Sequence, residues 1–591
     1  MKAPVPTTGK AAFADAASPG WMRFLFAPRP LLLLLAISGA IGAAHVLTMF
    51  SWRFVLGTAG FWTFPRGTVP GSQSDMAGAL VGYLYFLKAG WNLPLLHVSR
   101  LAFPGGSNVF WLDSVPSLAL LGRVLREITG QTVNLYGLYM FLAFALPGVA
   151  MTWVLAIAGQ RHVVAAVAAA LIADAVPYLL FEWGHVALCG QVLTIFALAL
   201  YLLALRDGAG ARIRGAWLAL LIFAFLSNMY LFVMVGGIWT AGIVQRALNR
   251  REPLRGLWIE AAMAIGSVVA LALLMGILSL QDRGAGTMGF TIFSMNLGSP
   301  LIPQLSGAIP PLRHYWIGTH SQVLTYVGLG ALLVVLFAVP GMLRWLQAGA
   351  LRRHAALLAV MAGYYMFALS TKITLGSHVL LNVPLPHGVA YALGAFRSSG
   401  RFFWPIGFAA MALAILTILR TSRPPVALAV LALGGVLQMI DVGPIRRAVA
   451  ASTLHPVPYV LDDAAIARVL DRAQGVKVFP SFLCVNARLH GRSPPWRIAA
   501  RLLQANIEIQ LLAARRNLPI NSELNARIYI DCAAEARAAA KPLHPGIAYV
   551  YLVPRPGEPP AGTDGCRTIG WARVCLPAAY AAGAGAGSGR N

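Results

Sequence analysis

Apolar runs about 20 residues long recur along this chain from Leu31 to about Ile440, and no other feature limits its fold as tightly. A hydrocarbon core ~30 Å thick takes about 20 residues of helix to cross, and in lipid every backbone N–H and C=O must be bonded within the segment. Such runs therefore fold as membrane-spanning helices. Composition agrees, with 58% hydrophobic and 11% charged residues, where a soluble domain carries about 25% charged. The spacing predicts eleven spans, at 30–50, 133–157, 163–183, 187–205, 215–228, 229–247, 256–279, 323–343, 355–370, 403–420 and 425–441. The stretch from Gly215 to Val244 is too long for one untilted span and short for two; we divide it at Ser227-Asn228, a polar pair suited to capping a turn.

Arginine sets the orientation. Arg161, Arg206, Arg212, Arg214, Arg246, Arg250, Arg251, Arg255, Arg344, Arg352, Arg353, Arg420 and Arg423 fall in every second connector, and short cytoplasmic loops hold such an excess. The expected plan is a cytoplasmic tail at 1–29, a transmembrane region at 30–441, a periplasmic domain at 442–577 and an Ala/Gly-rich disordered tail at 578–591, in a bacterial inner membrane. Long outer connectors are expected at 51–132, 280–322 and 371–402. The net charge of +26 is spread over connectors and forms no nucleic-acid face, so nucleic acid is excluded as a partner and membrane lipids supply the counterions.

Cys484, Cys532, Cys566 and Cys575 all fall beyond the last span, which suggests two disulfides and an oxidising compartment. Cys566 with Cys575 and Cys484 with Cys532 is the expected pairing, one of three possible connectivities. Helices at Asp462–Arg472 and Trp496–Arg516, strands at Val476–Phe482, Ala526–Ile530 and Ile547–Val553, and a hairpin between Cys566 and Cys575 give this domain an α/β or α+β pattern. Two helices are expected in the 51–132 loop. Met76–Ala89 would lie along the membrane surface, and Ser114–Ile128 would be apolar on one face with Arg123, Arg126 and Glu127 on the other.

Ionisable residues at the outer ends of the spans are the candidates for chemistry. Asp75 precedes the first loop helix and reads either as a general base or as its N-cap. Asp113, two residues before Val115-Pro116, reads as a second cap, a metal ligand or a hydroxyl-binding group. Glu182-Trp183-Gly184-His185 forms a tight outer turn, either functional or a plain interfacial turn with a belt tryptophan. Arg397 and Arg401, with Lys372, His378 and His387 in the same loop, run against the positive-inside trend. They need either a phosphate or an acid from another loop. Phosphate-cradling glycine loops, Ser-His-Asp triads and HExxH motifs are absent from the sequence.

The combination Gln73-x-Asp75, Gly82 with Tyr85-Phe86, Trp91-x-x-Pro94, Pro104-Gly105-x-x-Asn108, Asp113-Ser114-x-Pro116, Gly184-His185-x-x-Leu188 and Phe396-Arg397-Ser398-Ser399-Gly400-Arg401-Phe402-x-Trp404-Pro405 resembles the bacterial membrane family called domain of unknown function 6311. That family is similar in plan to the C-type (GT-C) glycosyltransferases, which use polyprenyl-phosphate sugars and carry an acid in a first external loop with interfacial helices. The resemblance implies a GT-C-like fold, a polyprenyl-phosphate-linked sugar donor, and a glycan or lipid acceptor. It makes Asp75 the base, Arg397, Arg401 and Lys372 the phosphate-binding groups, and Asp113 and His185 groups that orient substrate or hold a divalent cation, Mg or Mn. The chain departs from the plan at Glu182-Trp183, where an arginine is expected. A lipid-linked glycan transporter and a non-catalytic envelope assembly protein are the competing classes. A transporter should keep charges within its spans, and here Asp174 and Glu260 are the main ones.

Overall fold

The structure is a computed structural model and describes residues 19–57, 75–250, 252–277, 290, 292–310, 324–454, 459–485, 496–525, 530–552 and 566–577. The tail expected to be disordered, residues 526–529 of the strand expected at 526–530, and most of the 280–322 connector lie outside the described residues.

Each of the eleven apolar runs is helical. Two of them are bent pairs: α1 (Gly20–Phe26) with α2 (Leu31–Leu47), at 97°, and later α8 (Val163–Ala173) with α9 (Pro177–Phe181). Between them come the short α3 (Trp52–Val55), the loop helices α4 (Asp75–Lys88) and α5 (Pro116–Thr129), and α6 (Tyr136–Ala145), continued by α7 (Pro147–Ile157). There follow α10 (Val192–Asp207), α11 (Ala211–Phe225), α12 (Met229–Leu248), α13 (Leu254–Met275), α14 (Leu329–Trp345), the one-turn α15 (Leu351–Arg353) and α16 (Ala355–Leu369). α17 (His387–Gly394) lies in the loop before α18 (Trp404–Thr421) and α19 (Pro424–Asp441). Among the described residues, 7 helical stretches are long and apolar enough to cross a membrane, or up to 9 if each bent pair is one span. The protein is thus a multi-pass membrane protein. The count stays below eleven because α11 and α16 have 15 residues each.

Polar staples fix the bundle. The break between α11 and α12 falls at Ser227-Asn228: the Asn228 side chain accepts from Tyr230 N and caps α12, and Ser227 Oγ donates to Phe223 O. Buried Arg246 forks onto Glu260 at 2.8 and 2.9 Å and also reaches Glu252, which binds Arg214. Asp174 accepts from Gly148 N. The two in-span carboxylates singled out by sequence are thereby held by partners within the bundle.

The described part of the 51–132 loop is folded. β1 (His97–Val98) pairs antiparallel with β2 (Ser107–Asn108), and β3 (Lys372–Leu375) with β4 (His378–Asn382) forms a hairpin in a later loop. After α20 (Gly443–Leu454) and α21 (Asp463–Leu470), the C-terminal unit builds a mixed sheet in the order β5-β6-β8-β7. β5 (Gly475–Phe479) runs parallel to β6 (Ile547–Leu552), β6 antiparallel to β8 (Ala572–Cys575), and β8 antiparallel to β7 (Arg567–Ile569). Its helices are α22 (Trp496–Arg516) and α23 (Cys532–Ala539). The disulfides join Cys484 to Cys532 and Cys566 to Cys575.

α22 packs on α4. Eleven of the 14 residues of α4 are buried, so it is a core helix and not one lying along a lipid surface. The reason is its composition: a helix apolar all round has no face for water. α5 also departs from expectation. Arg123 and Arg126 turn inward to donate to Ala89 O and Leu87 O at the end of α4, while Leu121, Val124 and Ile128 are exposed. The last carbonyls of a helix lack partners of their own, and cations are favoured there.

Candidate functional site

α4 opens at Asp75, so a carboxylate stands in its first turn, where the helix dipole favours negative charge. The carboxylate reaches across the fold: Oδ2 lies 2.8 Å from His185 Nε2. His185 closes the turn after α9, and its Nδ1 lies 2.8 Å from Glu182 Oε2. That same oxygen takes Arg401 from the start of α18, at 3.3 Å. Three distant segments thus meet in an alternating chain of charge, Asp75, His185, Glu182, Arg401. Asp75 thus stands at the start of α4 and bonds His185 with the same carboxylate, and the two roles are compatible. Burial pushes the His185 imidazole down, and the Glu182 charge with the Asp75 hydrogen bond more than reverses it, lifting the pKa to about 10. Burial raises the Asp75 carboxyl, but the His185 hydrogen bond and charge, with Arg397 and Arg401, outweigh it and hold it below the usual carboxylate range.

The arginine segment is anchored by two backbone amides and an indole. Ser398 N donates to Tyr230 Oη at 3.0 Å, Gly400 N to Phe293 O at 3.1 Å, and Trp404 Nε1 to Leu324 O at 3.1 Å. The Arg401 guanidinium rests 5.4 Å from the Tyr230 ring centroid, within cation–π range. Arg401 therefore takes the partner acid that was the alternative to a phosphate. Arg397 differs, being exposed and without a carboxylate partner among the described residues, yet close enough for its charge to act on Asp75. Lys372 begins the β3–β4 hairpin, and no hydrogen bond or ion pair joins it to the cluster among the described residues.

Asp113 sits beside the cluster. Its Oδ1 accepts from Asn228 Nδ2 at 3.3 Å, and its charge acts on Arg401. It does not cap α5: Val115 holds that position with φ 46, and Asp113 itself has φ 54. Positive φ at a β-branched residue is strained, and Ser114 between the two is tied down by its Oγ donating to Ala79 O of α4 at 2.9 Å. Gly82 admits this close approach, since a Cβ there would meet Ser114 Oγ at 2.5 Å.

The divalent cation expected on Asp113 and His185 does not fit this arrangement. Carboxylates lie against both ring nitrogens of His185, and an imidazole binds a metal only through a deprotonated nitrogen. Among the described residues no three His, Cys, Asp or Glu group to hold a metal.

Beside the arginines lies an apolar cavity of about 760 Å³. Phe396 and Phe402, which flank Arg397 and Arg401 in sequence, line it together with Gly236, Gly237 and Tyr364. Ile265 and Val269, also in its wall, are exposed on the apolar flank of α13, so the cavity opens sideways. Sequence reasoning missed both this cavity and Glu182 as the pivot. A carboxylate three residues before a histidine at the end of an apolar span was the signal for Glu182.

Comparison with protein families matches residues 39–443 to Domain of unknown function (DUF6311). No curated protein matches. Among solved structures, the chain is similar to the Archaeoglobus fulgidus oligosaccharyltransferase in complex with Zn and sulfate, at 14% identity and a TM-score of 0.39, over 88% of this chain and 67% of that one.

Proposed function

The chain belongs to the DUF6311 family over residues 39–443, and from that premise we propose that it is a membrane glycosyltransferase. It moves a sugar, with inversion, from a polyprenyl-phosphate-linked donor to a glycan or lipid acceptor of the cell envelope. The observation that carries this reading is one juxtaposition: an ionised carboxylate, Asp75, within the field of Arg397, beside an apolar cavity that opens sideways and ends at the arginine segment. An isoprenoid chain suits such a cavity, and its phosphate reaches the arginines.

Asp75 takes the proton of the acceptor hydroxyl as that oxygen attacks the anomeric carbon. The bond from the anomeric carbon to the phosphate oxygen breaks on the opposite face, and the phosphate leaves with the electron pair. Arg397 stabilises the charge that develops there. Arg401 is the weaker phosphate ligand, because Glu182 already engages it. Its larger part is to fix Glu182, which fixes His185, which aims Asp75. Asp113 orients the acceptor. On this reading the site faces the periplasm, which the two cysteine pairs of the C-terminal unit support, since disulfides persist in oxidising compartments.

Two observations disfavour the competing classes. In-span Glu260 is tied to Arg246, which leaves it little freedom as a transport group. A carboxylate does stand near the arginine segment, as catalysis requires. The test is Asp75→Asn, which keeps the shape and a hydrogen-bond acceptor for His185. Loss of a positioned base removes about 100- to 10,000-fold of rate. Mass spectrometry of envelope glycans should lose the product while membrane abundance stays near wild type. Wild-type product at wild-type abundance would remove Asp75 as the base.

A further inference from the structure

A second cavity, of about 520 Å³, lies at the junction of α19 and α20. Its wall joins apolar Val436, Met439 and Ile440 to two adjacent cations, Arg446 and Arg447. Val436 and Ile440 are exposed, as is Leu433 one turn earlier, so this flank of α19 faces the apolar surroundings of the bundle.

The two arginines have no carboxylate partner among the described residues. The acid nearest in sequence, Asp441, is committed elsewhere, one oxygen to Ser306 Oγ and the other to Leu329 N at 2.8 Å. Backbone acceptors at the junction are also taken: Asp441 O by Gly307 N at 2.8 Å and Val442 O by Arg446 N at 2.9 Å. Arg446 Nε is buried with no acceptor among the described residues. A buried charged donor left unpaired is costly, and a like charge beside it adds to the cost. Burial first, and the Arg447 charge after it, pull the Arg446 guanidinium below its ordinary range.

We propose that this cavity holds a phospholipid of net negative charge, its headgroup on Arg446 and Arg447 and a chain along Val436 and Ile440. A free phosphate would satisfy the cations equally well, but the apolar half of the wall selects the lipid-borne anion. With both Asp441 oxygens hydrogen-bonded, no carboxylate among the described residues is available there to act as a base. The site therefore retains a lipid and does not process it, and it stands independently of the reading given to Asp75.

Native mass spectrometry of the detergent-solubilised full chain tests this, with titrated phosphatidylglycerol, phosphatidylcholine or inorganic phosphate. Arg447→Gln, an exposed change that leaves the core alone, should weaken phosphatidylglycerol binding about tenfold, the loss of one charge-assisted contact. The Arg446→Gln/Arg447→Gln double variant should abolish that adduct. If its melting curve shows unfolding, the single variant decides. Phosphatidylcholine should bind weakly to every form, and millimolar inorganic phosphate should fail to displace the bound lipid. Equal phosphatidylglycerol binding by wild type and Arg447→Gln, equal binding of phosphatidylcholine, or displacement by inorganic phosphate would each overturn the proposal.

Discussion

His185 is the residue on which the site turns, because it touches both acids. Its folded pKa of about 10 stands above the unfolded value of 6.5. The protonated form therefore stabilises the fold: the contribution is fully present below about pH 6.5 and is lost as pH rises toward 10. Melting temperature should fall across that window in the wild type, and His185→Gln should flatten the slope. Glu182→Gln is the harsher change, since it leaves Arg401, 11% exposed, without its acid. Removing one partner of a buried pair costs about 3–5 kcal/mol, so chemical denaturation should report a large loss. Asp75, His185 and Arg401 were each legible in the sequence as ionisable groups at the ends of apolar runs. Their chain was not, because it is closed by Glu182 across three segments far apart in sequence, and a turn acid flanked by a belt tryptophan looks the same whether or not a cation from α18 reaches it. Arg401 also illustrates how a charge read as a phosphate ligand is shared with a nearer acid.

Among the elements, α5 and α12 mark the limits of pattern reading. Asn228 was readable as the start of α12, because a side-chain cap is a local interaction. The faces of α5 were not. Periodicity placed Arg123 and Arg126 together, yet could not say that α4 would end beneath them with unpaired carbonyls to fill. α4 itself was legible as a helix but not as a buried one, since its cover, α22, comes from the far end of the chain. The lateral cavity is a gap between elements and leaves no mark in any single run. Gly236 lines it, and a Cβ there meets nothing within 4 Å. Gly236→Leu should therefore fill the cavity without disturbing its walls. On the proposed function that side chain stands in the path of the donor's lipid, so KM for the donor should rise about tenfold, the scale of a lost apolar contact, with the melting temperature unchanged.

At the scale of the whole molecule, the membrane region and the C-terminal unit are interlocked. Tyr85 Oη donates to Leu518 O at 2.7 Å and Lys88 Nζ to Ala514 O at 3.0 Å, while Phe103 N and Ile520 O pair at 2.8 Å. The disulfides brace the unit that makes these contacts. Replacing Cys484 and Cys532 together by alanine should cost about 2–4 kcal/mol, measured as a lower denaturation midpoint. A phosphatase fused after Val442 should be active, as the arginine distribution requires; activity only from a cytoplasmic reporter there would reverse the orientation. Interlocking also has a consequence in time. α4 leaves the ribosome some 400 residues before α22, which at about 5–20 residues per second is a wait of roughly 20 to 80 s. Throughout it, a helix with eleven apolar or small positions to bury has α5 against it but not α22, and the cations gathered around its end have only part of their final company. A nascent chain halted before α22 leaves that helix short of one of its covers, so truncation ahead of Trp496 should lower the abundance of the transmembrane part as well as remove the domain it deletes.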